Sequence, residues 1–145
     1  MTNETPTRAS TGISRDQATM EYPTKSYQRA ERAIRCTPLQ MPFYTILLQQ
    51  SISLAAIAKQ AGMKAQYVRS PMSEWAIENH LMWLIRVGVL RREVDGQGIT
   101  DAFRLTPLGR QIIKKWQSQG WQQIPPASVR DRLLVWFNRM TDVPF

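Results

Sequence analysis

The 145 residues leave room for one compact domain with tails, and an apolar fraction of 43% is enough to give that domain a core. A net charge of +8 and a pI near 10.3 favour polyanionic partners, nucleic acid ahead of an anionic membrane surface. Cys36 is the only cysteine, which excludes an intrachain disulfide and fits a reducing, cytoplasmic setting.

Residues 1–25 are rich in Thr, Ser, Asn and charge and poor in large apolar side chains. Such a segment cannot offset the entropy of ordering, so a disordered tail is expected. The first twenty residues also lack the apolar run of a secretory signal. Ser26–Arg35 has helical spacing, with Arg29, Arg32 and Arg35 along one broad side and Tyr27, Ala30 and Ile34 facing a core. A solvated face accounts for these arginines better than a basic arm laid on phosphates. Between Cys36 and Ala58 no side chain is charged. Gln40, Gln49, Gln50, Ser51 and Ser53 interrupt that run, and Pro38 and Pro42 stand at one end. Burying so many amides in lipid is costly, so the run predicts two core helices joined by a turn and no membrane span. The first, Pro38–Gln50, becomes regular near Pro42 and turns Phe43, Ile46, Leu47 and Gln50 to one side.

Leu54–Ser73 reads LAAIAKQAGMKAQYVRSPMS. Ser53 is placed to cap it, and Ala58 is the small residue at which two helices cross. Gly62 falls where a tight turn needs positive φ, Met63 is the apolar plug, and Val68 is the buried residue of the second helix. The stretch is similar to the helix-turn-helix pattern. Pro71 ends the second helix near Ser70, and Ser73 caps a further helix that runs to Val87 with Ile77, Leu81 and Leu84 inward.

Two registers for reading a duplex follow. In the favoured one, Lys64–Ser70 is the reading helix, and Lys64, Gln66, Tyr67, Arg69 and Ser70 surround the buried Val68. Arg69 and Gln66 can make paired hydrogen bonds to guanine and adenine edges, while Lys64 suits a phosphate. In the other register Ser73–Val87 takes that role and shows Trp75, Glu78, Asn79, Met82 and Arg86. Glu74 and Glu78 near its start suit the helix dipole and oppose phosphate, and Trp75 with Met82 looks like a protein contact.

After Gly88 the period shortens to Val89–Val94, a turn Asp95-Gly96-Gln97-Gly98, and Ile99–Leu105. In the second run Ile99, Phe103 and Leu105 alternate with Thr100, Ala102 and Arg104, as in a half-buried strand. Arg91, Arg92, Gln97 and Arg104 are the hairpin's candidates for duplex contact, against Glu93, Asp95 and Asp101. Thr106 caps the next helix with Pro107 at its first position, Leu108, Ile112, Ile113 and Trp116 as its apolar stripe, and Gly120 as its stop. Arg110, Lys114 and Lys115 are expected to be mostly solvated.

The order of helix, glycine stop, hairpin and capped helix over Ala76–Trp116 resembles the second half of the winged helix-turn-helix domain of MarR-, ArsR- and PadR-like regulators. The resemblance rests on Leu84, Gly88, Val89 and Leu90, then on Leu105, Thr106, Pro107, Gly109 and Arg110. Gly62 lies further ahead of Leu84 than in that family, which implies a bent recognition helix or an inserted turn. The resemblance implies a mainly α fold with a small β-hairpin: a three-helix core plus wing over residues 26–120.

Residues 121–145 then supply a connector stiffened by Ile124-Pro125-Pro126 and a last amphipathic helix, Ala127–Met140. Val129, Leu133, Trp136, Phe137 and Met140 share one side of it. An aromatic stripe this far from the wing is expected to make a homodimer rather than to pack on its own domain.

One His and one Cys cannot supply a zinc site, and His80 reads as a core-edge residue. Gly96 and Gly98 serve a hairpin rather than a phosphate loop, and no paired carboxylates stand at hydrolase spacing. No catalytic residue, metal or cofactor is therefore expected. The sequence points to sequence-specific binding of double-stranded DNA by a non-catalytic transcriptional regulator. Two alternatives stand beside it. One is a winged-helix module that holds a protein partner through Trp75, Met82, Trp83 and Trp121, with Trp136 and Phe137 as further interface candidates, and the other is a plasmid or phage replication protein.

Overall fold

The computed structural model describes residues 21–141. Nearly all of the segment expected to be a disordered tail lies outside them. The described residues form seven helices and a three-stranded antiparallel sheet in the order α1 (Thr24–Cys36), α2 (Met41–Leu47), β1 (Ile52–Ser53), α3 (Leu54–Ile57), α4 (Lys59–Lys64), α5 (Glu74–Arg86), β2 (Leu90–Asp95), β3 (Gly98–Leu105), α6 (Pro107–Ser118) and α7 (Val129–Thr141). No helix among them is long and apolar enough to cross a membrane.

In α1, Ala30, Ala33 and Ile34 are buried, the i, i+3, i+4 spacing of one helix face. The two alanines let α5, α6 and α7 pack against this helix. Pro42 sits in the first turn of α2, where its missing N–H costs nothing, and Phe43, Tyr44 and Leu47 fill the core below. The helix is shorter than the sequence predicts. The chain leaves it for β1, two residues that pair with Phe103 and Ala102 of β3. A strand of two residues shows no alternation, so nothing in the sequence announced it.

Ser53 does cap α3, its hydroxyl accepting from the Ala56 N–H at 3.3 Å. Gly62, however, is not the turn residue. It lies inside α4, and a Cβ there would stand 1.7 Å from the Ile57 carbonyl oxygen. Glycine is required for close approach, and the positive φ falls on Lys59 (59°) and Gln66 (64°).

The second of these corrects the expected reading helix. The Tyr67 N–H donates to the Gly62 carbonyl at 2.9 Å and the Gln66 N–H to the Met63 carbonyl at 3.0 Å. That pair of bonds around a left-handed residue is a Schellman termination, so α4 stops at Lys64, and Ala65–Ser70 is an irregular loop where the sequence predicts the reading helix Lys64–Ser70.

The next helix follows the sequence closely. Ser73 Oγ accepts from the Ala76 N–H at 3.2 Å, and Ile77, Leu81 and Leu84 point inward together with Trp83. The α5 helix ends with the same paired bonds, Val89 N–H to the Leu84 carbonyl and Gly88 N–H to the Ile85 carbonyl, with Gly88 at φ 86°. The hairpin then forms with Leu90 opposite Leu105 and Arg92 opposite Phe103. A bulge between Arg92 and Val94 shifts the register. Because β1 covers only Ala102 and Phe103, the distal hairpin has no third strand, and Ile99, expected to be half-buried, is 75% exposed.

Thr106 joins the ends of the hairpin to both flanking helices. Its hydroxyl accepts from the Gly109 N–H at 3.1 Å, capping α6, and donates to the Gly88 carbonyl. Its own N–H donates to the Val89 carbonyl at 3.0 Å. In α6, Leu108, Ile112, Ile113 and Trp116 are buried, each aliphatic one contributing roughly 1.5–3 kcal/mol of transfer free energy. Arg110, expected to be solvated, instead reaches the Leu48 carbonyl at the end of α2, at 2.8 Å.

A reciprocal cap opens α7: the Ser128 N–H donates to Asp131 Oδ2 at 3.2 Å and the Asp131 N–H to Ser128 Oγ at 3.1 Å. This helix packs on α1 through Val135 and Asn138. The stripe predicted from its periodicity is therefore the opposite face, and it stays exposed.

Candidate functional site

On α5, Trp75, Glu78, Asn79, Met82 and Arg86 recur at i, i+3, i+4 and line its outer face. Trp75 is 75% exposed and Met82 39%. The face meets the hairpin at Arg92, whose guanidinium lies 3.4 Å from both Glu78 Oε1 and Met82 Sδ. Beneath it the same guanidinium stacks over Phe103, 5.2 Å from the ring centre. Arg92 is thus held from three sides.

The other hairpin candidates divide. Arg104 is paired through Nε with Glu93. Arg91, directly across the ladder from Arg104, is exposed, and so is Gln97, whose N–H donates to Asp95 Oδ1 at 2.7 Å in the turn. At the hairpin end two apolar side chains that the sequence did not offer as contact residues face solvent, Val94 at 66% and Ile99 at 75% exposure. They are cross-strand partners, so their signal lies in the register and not in either strand alone.

Summed over α5 and both faces of the hairpin, charge is nearly balanced and slightly negative. Arg86, Arg91, Arg92 and Arg104 stand against Glu74, Glu78, Glu93, Asp95 and Asp101. The basic excess lies elsewhere, on α1, on residues 59–69 and on α6 and α7.

The residues 64–70 form a separate group. Lys64 and Ser70 are exposed, and Gln66 occupies the left-handed position that ends α4. Tyr67 is half-buried, packed edge-on to Phe43 with ring centres 5.8 Å apart, and its carbonyl accepts from the Gln40 N–H at 2.8 Å. With the Gln40 amide oriented to satisfy its neighbours, its oxygen accepts from Arg69 Nε at 2.8 Å. Among the described residues no hydrogen bond or ion pair joins this loop to the hairpin. Trp136 and Phe137 belong to a third place, the outer face of α7, at 59% and 49% exposure.

His80 sits on α5 beside the core, half-buried, with its pKa lowered by burial and by the Arg139 guanidinium. Cys36 is also half-buried, and burial with Asp131 nearby pushes its thiol up, away from nucleophilic reactivity. Among the described residues no group of three His, Cys, Asp or Glu side chains is placed to hold a metal.

A model of the family described as Npun_F0494-like matches residues 20–139. No curated protein matches the chain, and neither does any solved structure.

Proposed function

We propose for this chain, which belongs to the Npun_F0494-like family, a non-catalytic role as a winged-helix module that docks a protein partner along α5 and the hairpin. The order of α2, β1, the α3–α4 pair, α5 and a hairpin, with β1 pairing to β3, supports the winged-helix reading, in which α5 would take the reading position. The observation that carries the proposal is what that position presents. Trp75, Met82, Val94 and Ile99 face solvent there, while the surrounding carboxylates outnumber the arginines. Exposed Trp and Met with balanced charge suit a protein contact, whereas a phosphate backbone needs uncompensated cations.

A photo-cross-linking residue in place of Trp75 tests this in the full chain. The expected result is one reproducible polypeptide adduct that Met82→Glu removes. Cross-links to duplex DNA in place of protein would end this reading.

A second reading, sequence-specific binding of double-stranded DNA by a regulator, is favoured by the net charge of +8 and by the run Arg32–Ser73, which holds Arg32, Arg35, Lys59, Lys64 and Arg69 and no carboxylate. In that reading Lys64, Gln66, Arg69 and Ser70 meet the duplex from a loop. Duplex affinity falling steeply with salt, and weakened in an Arg69→Ala/Gln66→Ala variant, is its signature. In either reading we propose that the chain works as a homodimer joined through the outer face of α7, where Val129, Leu133, Trp136, Phe137 and Met140 are exposed.

A further inference from the structure

The end of α1, the start of α2, the loop 65–72 and the connector 122–127 enclose a groove of about 960 Å³. Three stretches far apart in the chain, residues 35–42, 63–72 and 122–132, build it, so it left no trace in the sequence. Its apolar lining includes Met63, Val68, Met72 and Ile124, and Val68 is fully buried. Pro125 and Pro126 stiffen one wall. Three arginines reach into it, Arg35, Arg69 and Arg132, and no carboxylate lines it.

The three cations are not equivalent. Arg35 is shared with Glu31 at 3.5 Å and Asp131 at 3.8 Å, so much of its charge is answered within the protein. Arg69 is fixed through Nε by the Gln40 amide, an acceptor without charge, and its terminal nitrogens remain available for a fork-like contact. Among the described residues no carboxylate pairs with Arg69 or with Arg132. Two uncompensated guanidiniums beside an apolar lining match a dianionic head on an apolar body. The volume is that of a small-molecule site.

We infer that this groove binds a phosphate monoester with an apolar body, its head between Arg69 and Arg132 and its body along Met63, Met72 and Ile124. Such a ligand clasps the connector ahead of α7 to the loop ahead of α5. The site is distinct from the α5–hairpin face, and it uses Arg69, which the duplex-binding reading assigns to phosphate or base contact, so the two uses of Arg69 exclude each other.

Calorimetric titration of the full chain with octyl phosphate, below its micelle concentration, tests the inference. The expected result is saturable binding with one site per chain, weakened at least about tenfold in Arg69→Ala/Arg132→Ala, since each guanidinium contributes a charge-assisted contact. Both arginines are exposed, so the variant keeps its fold, which circular dichroism verifies. Octyl glucoside, with the same tail and no charge, is expected not to bind at the same concentration. Equal binding of the glucoside, unchanged binding in the double variant, or loss of binding in Trp136→Ser, which would move the site to the outer face of α7, each overturns it. Vesicles of phosphatidylcholine carrying phosphatidate, used as competitor, separate a lipid source, which displaces octyl phosphate, from a soluble one, which does not. Either result keeps the head-group chemistry.

Discussion

Arg92 and Glu78 stand 3.4 Å apart across the seam between the hairpin and α5, one on β2 and the other a turn into the helix. The pair is partly solvated and contributes at most about 1 kcal/mol to stability. Its larger effect is on charge, because it cancels a cation at the place where a phosphate-binding surface would need one.

Neutralising the carboxylates of α5 is therefore expected to change binding more than folding. Glu74→Gln/Glu78→Gln turns the slight negative balance of this face positive and leaves Arg92 without its partner. Low-salt affinity for duplex DNA, read by fluorescence anisotropy, should rise by roughly tenfold, with little change in Tm. Equal affinity in the parent chain and the variant would show that these carboxylates do not govern what the face accepts.

Gly62→Ala tests the crossing of α3 and α4. A Cβ 1.7 Å from the Ile57 carbonyl oxygen meets backbone, which cannot swing aside. Urea unfolding should show a loss of about 3 kcal/mol or more. Gly96→Ala is the control, since nothing lies within 4 Å of a Cβ there, and it should unfold close to the parent.

His80 predicts a pH effect. Burial first, and then Arg139, lowers its pKa in the fold below the ordinary 6.5. Between the two values the unfolded chain binds more protons than the folded one, so stability is lost as pH falls below 6.5. Tm measured between about pH 7.5 and about pH 5.5 should fall with acidification, and His80→Gln should flatten that slope. An unchanged slope in the variant would assign the effect to other groups.

The outer face of α7 predicts self-association. Sedimentation at protein concentrations on the order of micromolar should show a dimer, and Leu133→Ser/Trp136→Ser should give a monomer with its fold intact. Both side chains are exposed in the single chain, at 61% and 59%, so the substitution removes no core contact. A monomer in the parent chain at that concentration would leave this face to another use.

What the sequence made legible was punctuation. Ser73, Gly88, Thr106 and Pro107 mark element ends by local chemistry, and each sits where that chemistry requires. The positive φ at Gln66 was not legible, because a glutamine carries no sign of a left-handed residue, and with it went the helix expected over Lys64–Ser70. Periodicity found the apolar stripe of α7, which stays exposed as expected, but not the opposite face that seats the helix, since Val135 and Asn138 are buried only once α1 is in place. Arg69 was singled out for a duplex, yet its surroundings are a groove assembled from residues nearly a hundred positions apart.

Thr106 binds the Gly88–Val89 link between α5 and β2 and the first turn of α6 at one point. The hairpin is consequently a lever clamped at its base and not a tethered flap. A load placed on Val94 and Ile99 at its far end meets the bulge between Arg92 and Val94 and then the clamped base, and passes from there as torque to the two helices that frame the core.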